Sequence, residues 1–227
     1  MIKKITAVLA SVLLVAMLFA GCSSEQLKSI MSLEIDTYDP ATETAADMLQ
    51  KEISEKGLVS GDFTYCVLED SSAVITSYKG TDTVLAIPAK IDSHTVVGVE
   101  NKAFYESKIT ELIFPDTLEA VGNFAAMYCT ELKKVSFGKN IKIIGVSAFE
   151  SRGNNANETG DGKLQEIIFN GAPETIRQKA FQCADKLQEI VIPNGVKTIE
   201  SWAFAKCYSA DKIILGDGLE LIGDHHF

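Results

Sequence analysis

Apolar positions in this chain fall into a two-part unit that returns along residues 82–227. The first part runs apolar-x-x-apolar-x-apolar, then often proline or glycine. It occurs as Ile109, Leu112, Phe114, Pro115; as Leu132, Val135, Phe137, Gly138; as Leu164, Ile167, Phe169; as Leu187, Ile190, Ile192, Pro193; and, weakened, as Ala210, Ile213, Leu215, Gly216. Leu85, Ile87 and Pro88 form an earlier copy. Period-two spacing of β-branched and aromatic residues predicts a short strand, which a following proline ends. The second part carries Val121-Gly122, Ile144-Gly145, Ile199-Glu200 and Ile222-Gly223, then an Ala-Phe pair. Glycine there is expected to permit a sharp corner, and the small-large pair to plug the interior. The slot phenylalanines are Phe104, Phe149, Phe181, Phe204 and Phe227, with Ala126 in the same place, at intervals of 22, 23, 32, 23 and 23 residues. A period in the low twenties predicts a stacked solenoid, because one unit cannot bury its own apolar side.

Ahead of the repeats, residues 39–81 read as a helix and a hairpin that cap the first coil. Asp39 before Pro40 resembles an N-cap with a first-turn proline, Ala45, Ala46, Leu49 and Ile53 share a helical face, and Gly57 reads as a stop. Phe63, Tyr65 and Val67 alternate, as do Val74 and Thr76 beyond the turn residues 69–72, which predicts the hairpin.

The string Leu187-x-x-Ile190-x-Ile192-Pro193-x-x-Val196-x-x-Ile199-x-x-x-Ala203-Phe204-x-x-Cys207 resembles the BspA-type leucine-rich repeat of bacterial surface proteins. Residues 82–227 fit it as six copies, the first degenerate and the last incomplete. The departures are Ala126 in a core slot, with Phe124 or Met127 to fill the space, Arg177 and Glu200 at the corner glycine, and Cys183 one residue early. The resemblance implies an α/β, β-rich repeat: a right-handed solenoid with a parallel concave sheet. It also implies surface display and, for some members, adhesion to host matrix proteins or cells, with no catalytic residues.

Residues 1–22 read as an export signal: Lys3 and Lys4, an apolar run from Ile5 to Phe19, then Ala20-Gly21-Cys22. Leu18 to Cys22 resembles the bacterial lipoprotein signal, which makes Cys22 the lipid attachment site and places the protein on the outer face of the cell membrane or on the cell surface. A plain cleavable signal with an incidental Cys22 is the alternative. Residues 23–38 then form a tether. The formal charge of −10 becomes −12 without the signal, which argues against nucleic acid and anionic lipid as partners. Cys66, Cys129, Cys183 and Cys207 remain, three of them just after the slot. Their spacing fits neither a disulfide framework nor a zinc site, so buried thiols are expected, with a disulfide still open in an exported chain.

Solvent-facing positions between the last two core residues of each first strand are Ala86, Ile113, Ser136, Ile168, Val191 and Ile214, flanked by Glu111, Lys134, Glu166, Glu189 and Lys212. Strands about 4.8 Å apart make these six a stripe roughly 24 Å long. An apolar ribbon with a charged rim suits a protein or glycan partner, and Ile113, Ser136, Ile168, Val191 and Ile214 are its candidate binding residues. The competing reading is that in-register aliphatics serve only the sheet.

The longest interval holds an insertion at 151–163, rich in Asn and Gly. Asn155, Asn157, Thr159, Gly160, Asp161 and Glu166 fall at calcium-loop offsets, but the leading Asp and the flanking helices are missing. No nucleophile elbow, zinc-protease or phosphate-loop motif occurs, and His94, His225 and His226 form no chelating set. The expectation is therefore a non-enzymatic module without metal or cofactor. Phe227 falls in the plug slot of the last coil, which suggests either end-to-end self-association or a truncated array. A structural surface lipoprotein that self-associates through that coil is accordingly the alternative function.

Overall fold

The computed structural model describes residues 39–151 and 162–224. The signal and tether (1–38, with Cys22), most of the insertion and the last three residues (225–227) lie outside them. A single helical turn, α1 (Ala45–Met48), opens the described fold. Thr44 Oγ1 accepts from Asp47 N at 3.1 Å while Asp47 accepts from Thr44 N at 3.0 Å. Thr44, not Asp39, is thus the N-cap.

The expected longer helix is not there. Gln50 turns left-handed (φ 55°), and Ile53–Ser60 is strand β1, with Gly57 (φ +75°) inside it rather than ending a helix. One turn cannot propagate alone, and Leu58 reaches the core only as part of a strand. β1 pairs antiparallel with β2 (Phe63–Leu68), and β2 with β3 (Ala73–Tyr78), so the expected hairpin has a third strand.

Six coils follow, each with a first and a second strand, and the first coil with one more. Coil 1 has β4 (Val84–Ala86) and β6 (His94–Val99), with β5 (Lys90–Ile91) hairpinned onto β6. Coil 2 has β7 (Glu111–Ile113) and β8 (Ala120–Val121), and coil 3 has β9 (Lys134–Phe137) and β10 (Ile143–Ile144). Coil 4 has β11 (Glu166–Phe169) and β12 (Thr175–Ile176), and coil 5 has β13 (Glu189–Ile192) and β14 (Thr198–Ile199). Coil 6 has β15 (Lys212–Leu215) and β16 (Leu221–Ile222). The described residues form a β-solenoid of about six turns with almost no helix.

The two strand sets stack differently. Second strands form one unbroken parallel ladder from β6 to β16, which β3 extends by pairing parallel with β6. First strands form a parallel ladder from β4 to β11, and β13 pairs only with β15, so the expected single sheet is interrupted between coils 4 and 5. Ile167 and Phe169, at core positions of β11, are half-buried there, whereas Val135, Phe137, Ile190 and Ile192 are at most 2% exposed.

Phenylalanines pack the interior in two columns. Phe181 lies between Phe149 (5.2 Å, 6°) and Phe204 (5.1 Å, 12°), and Phe137 between Phe114 (5.4 Å) and Phe169 (5.2 Å). The slot amide of one coil donates to the alanine carbonyl of the next, as from Phe149 to Ala180 and from Phe181 to Ala203, both at 2.8 Å. These alanines are fully buried, which explains the small partner in each Ala-Phe pair. At Ala126 the column is interrupted, and Phe114 meets Phe149 edge-on at 6.3 Å. Phe124 and Met127 are both partly exposed and stand outside the core.

The corners also differ from expectation. Left-handed backbone falls not on Gly122 or Gly145 but two residues later, at Lys102 (59°), Phe124 (60°), Ser147 (51°), Lys179 (58°) and Trp202 (66°). The glycine instead permits close stacking: a Cβ on Gly145 would stand 2.6 Å from the Gly122 carbonyl carbon.

Candidate binding face

First-strand residues of successive coils pair one to one, which places Ala86 beside Ile113, Ile113 beside Ser136, and Ser136 beside Ile168. Beyond the interruption, Val191 pairs with Ile214. The structure therefore brings four stripe positions into one ladder and two into another. Val191 is 45% and Ile214 40% exposed, while Ile113, Ser136 and Ile168 are partly covered.

The rim is neutralised from coil to coil. Lys134 Nζ lies 3.2 Å from Glu166 and 3.9 Å from Glu111, and Lys212 lies 2.5 Å from Glu189. Further pairs one coil apart are Lys139–Asp116 (3.0 Å), Lys142–Glu119 (2.6 Å) and Lys163–Glu131 (2.7 Å). Such exposed pairs each contribute under about 1 kcal/mol. Their effect here is to leave the face between them apolar and locally balanced in charge. Glu166, one of the calcium-loop positions, belongs to β11 and is engaged by Lys134.

The four cysteines among the described residues, Cys66, Cys129, Cys183 and Cys207, are free thiols and all are buried. Cys129 Sγ donates to the Phe104 carbonyl at 3.0 Å and sits 3.2 Å from Ser107 Oγ. Cys207 Sγ faces the Phe181 carbonyl at 3.6 Å. Burial pushes the Cys129 thiol up, and Cys207 up to about 12, so neither is a nucleophile near neutrality.

Around His94, Asp92 accepts from Tyr65 Oη at 2.6 Å and Ser60 Oγ at 2.8 Å. The Tyr65–Asp92 bond, then burial, pushes the phenol up to about 12, and the bonds from Tyr65 and Ser60 pull the Asp92 carboxyl down. His94 Nδ1 faces the Ser71 carbonyl at 2.8 Å instead of a hydroxyl, so the group fixes a turn and lacks a nucleophile–base pair. Among the described residues no group of three His, Cys, Asp or Glu could hold a metal ion. Nor is any described helix long and apolar enough to cross a membrane.

Sequence reasoning missed a strap across the corners. Glu100 accepts from Ala45 N at 3.1 Å, Asn101 Nδ2 donates to the Glu43 carbonyl at 2.6 Å, and Asn123 Nδ2 donates to the Pro40 carbonyl at 2.7 Å. Arg177 of coil 4 pairs with the Glu43 carboxylate. Asn101 Oδ1 also accepts from Asn123 N (2.8 Å), and Asn123 Oδ1 from Val146 N (2.7 Å), so an asparagine ladder ties coils 1 to 3. The signal for it was in plain view: two asparagines 22 residues apart, each just beyond a second strand.

Residues 62–160 and 97–227 match the family model described as the BspA type leucine rich repeat region, in six copies. Among solved structures, the chain is similar to a leucine rich cell surface protein from Faecalibacterium prausnitzii A2-165, at 26% identity and a TM-score of 0.63. That match covers 77% of this chain and 46% of the other, so the chain spans about half the length of that relative. A leucine rich repeat protein of T. pallidum is similar at 22% identity and a TM-score of 0.55, over 74% of this chain and 86% of that one. A leucine-rich repeat protein from Eubacterium ventriosum ATCC 27560 is similar at 20% identity and a TM-score of 0.51, over 76% of this chain and 52% of that one. No curated protein matches the sequence.

Proposed function

Given that the chain belongs to the BspA type leucine rich repeat family, we propose that it is a cell-surface binding module whose first-strand ladder grips a protein or glycan partner. One observation carries this reading: Ala86 with Ile113 and Val191 with Ile214 stand in register on the solvent side of the ladder, between charges that already satisfy one another. A face of this kind gains by covering apolar area and leaves no rim charge unpaired when it does. In this reading the first strands form the concave side of a right-handed solenoid, and α1 with the β1–β3 strands caps its first coil. The chain is exported and held at the surface by lipid on Cys22. The cell-surface description of the Faecalibacterium relative supports that location.

The test is capture from surface extracts and host matrix preparations with the lipid-free chain. Changing Ile113, Ile168 and Ile214 to Glu is expected to abolish capture while the far-UV spectrum stays unchanged. Capture that survives all three changes refutes the assignment.

A further inference from the structure

Residues that the repeat requires return in every coil, so a local cluster that does not return calls for a separate account. Coils 1 and 2 carry one on their corners, beyond the second strands. Tyr105 is 37% exposed and meets Tyr128 edge-on, with ring centroids 5.6 Å apart and planes at 62°. Lys102 Nζ stands 5.8 Å from the Tyr105 centroid and 5.9 Å from that of Phe124, one ammonium shared by rings of two coils. Coil 3 places Ser147, Glu150 and Ser151 at the same corner positions, so packing does not demand aromatics.

The local backbone is also unfavourable to such residues. Phe124 and Tyr128 hold φ of 60° and 62°, a region that bulky side chains rarely enter. The left-handed corner itself recurs in coils 1 to 5, and Trp202 of coil 5 is another ring on it; what is confined to coils 1 and 2 is a pair of rings that share one ammonium. Their arrangement says what they bind. Aromatic faces that converge on a cation attract it through the ring quadrupole, most strongly when several rings share it. The cluster already holds an alkylammonium group. The chain as a whole is acidic, with a formal charge of −10, and draws in basic partners.

We propose that Tyr105, Phe124 and Tyr128 form a cage for a lysine side chain of a basic protein partner, and that Lys102 fills this cage in the free protein. Binding then exchanges one ammonium for another. The site is not on the first-strand ladder, so Ile113→Glu leaves it intact.

The probe is the peptide Gly-Ser-Lys-Ser-Gly, titrated into the full chain while the Tyr105 and Tyr128 ring protons are followed by NMR. Its norleucine counterpart is the neutral control. The lysine peptide is expected to give saturable shifts and the norleucine peptide none. Lys102→Met is expected to tighten binding about two- to fivefold by removing the competing ammonium from the rings. Lys179→Met removes the same charge from the equivalent corner of coil 4 and is expected to change little. Tyr105→Leu, at an exposed position, is expected to remove the saturable shifts without loss of fold. Equal effects of Lys102→Met and Lys179→Met reduce the response to general charge and overturn the proposal. Binding unchanged in Tyr105→Leu, or no saturable shift in any variant, overturns it as well.

Discussion

Replacing Phe181 with alanine tests the central packing of the solenoid. Its ring is fully buried, stacked on Phe149 and Phe204 at 5.2 and 5.1 Å, and edge-on to Phe137 at 6.3 Å. Truncating a buried phenylalanine costs about 3–5 kcal/mol, and each lost aromatic pair about 0.5–1.5 kcal/mol beyond its area. With rings on both faces, the cost falls at the top of the first range, about 4–5 kcal/mol. The half-buried Phe169 stands in the same coil and can lean into part of the space, which sets a floor near 3 kcal/mol. Against a total of about 5–15 kcal/mol this is a large fraction. Urea unfolding read by the only tryptophan, Trp202 in coil 5, is the assay. At a slope of about 2 kcal/mol/M the midpoint is expected to fall by about 2 M. Because each coil leans only on its neighbours, the Trp202 transition should also run ahead of the far-UV signal from coils 1 to 3. A loss below about 1 kcal/mol with coincident transitions refutes the stacking argument.

Gly145→Ala is expected to lower the melting temperature by more than 10 °C, since its Cβ would meet Gly122 backbone at 2.6 Å, where no side chain can swing aside; calorimetry reads this. Lys51, 2.7 Å away, and the bonds from Ser72 hold the Asp70 carboxyl at about 2, below its ordinary 3.8. The stability this gives is present above the ordinary value and lost as pH falls through about 2. Unfolding curves of the native chain and Asp70→Asn should therefore differ at pH 6, by less than about 1 kcal/mol for so exposed a pair, and converge near pH 2. Cys129 and Cys207 should resist a thiol reagent at pH 8 in the folded chain and react on denaturation, with labelling followed by mass spectrometry.

The coil period, the first strand of each unit and the hairpin at 63–78 were legible because each rests on a local pattern that survives packing, whereas the two-residue second strands, such as Ile143–Ile144, read only as corners. Ile190 and Ile192 alternate with solvent-facing residues, and Phe149, Phe181 and Phe204 recur at a spacing that only stacking explains. What stayed hidden depends on contacts between coils. Gly145 reads as a turn residue in one dimension, yet its missing side chain serves the neighbouring backbone, while the turn falls on Ser147. The helix at 39–57 was misread because Leu49 and Ile53 fit a helical face as well as a strand entry. Only pairing with Phe63–Leu68 decides between the two. The stripe residues were placed correctly in register, but the sequence bears no mark of the interruption between Phe169 and Glu189. The corner cage was equally hidden, since Lys102 and Phe124 are 22 residues apart and meet only through stacking.

That interruption gives the molecule a crease. Along one side a continuous run of hydrogen bonds binds all the coils, like the spine of a book, while on the other side the pages are uncut up to coil 4 and begin again at coil 5. A pull or a wedge-shaped guest on the open side meets its least resistance there, and the bound side acts as the fold line. Curvature can thus be adjusted at one place, and the two aliphatic segments that flank it can tilt toward or away from each other without any coil coming apart.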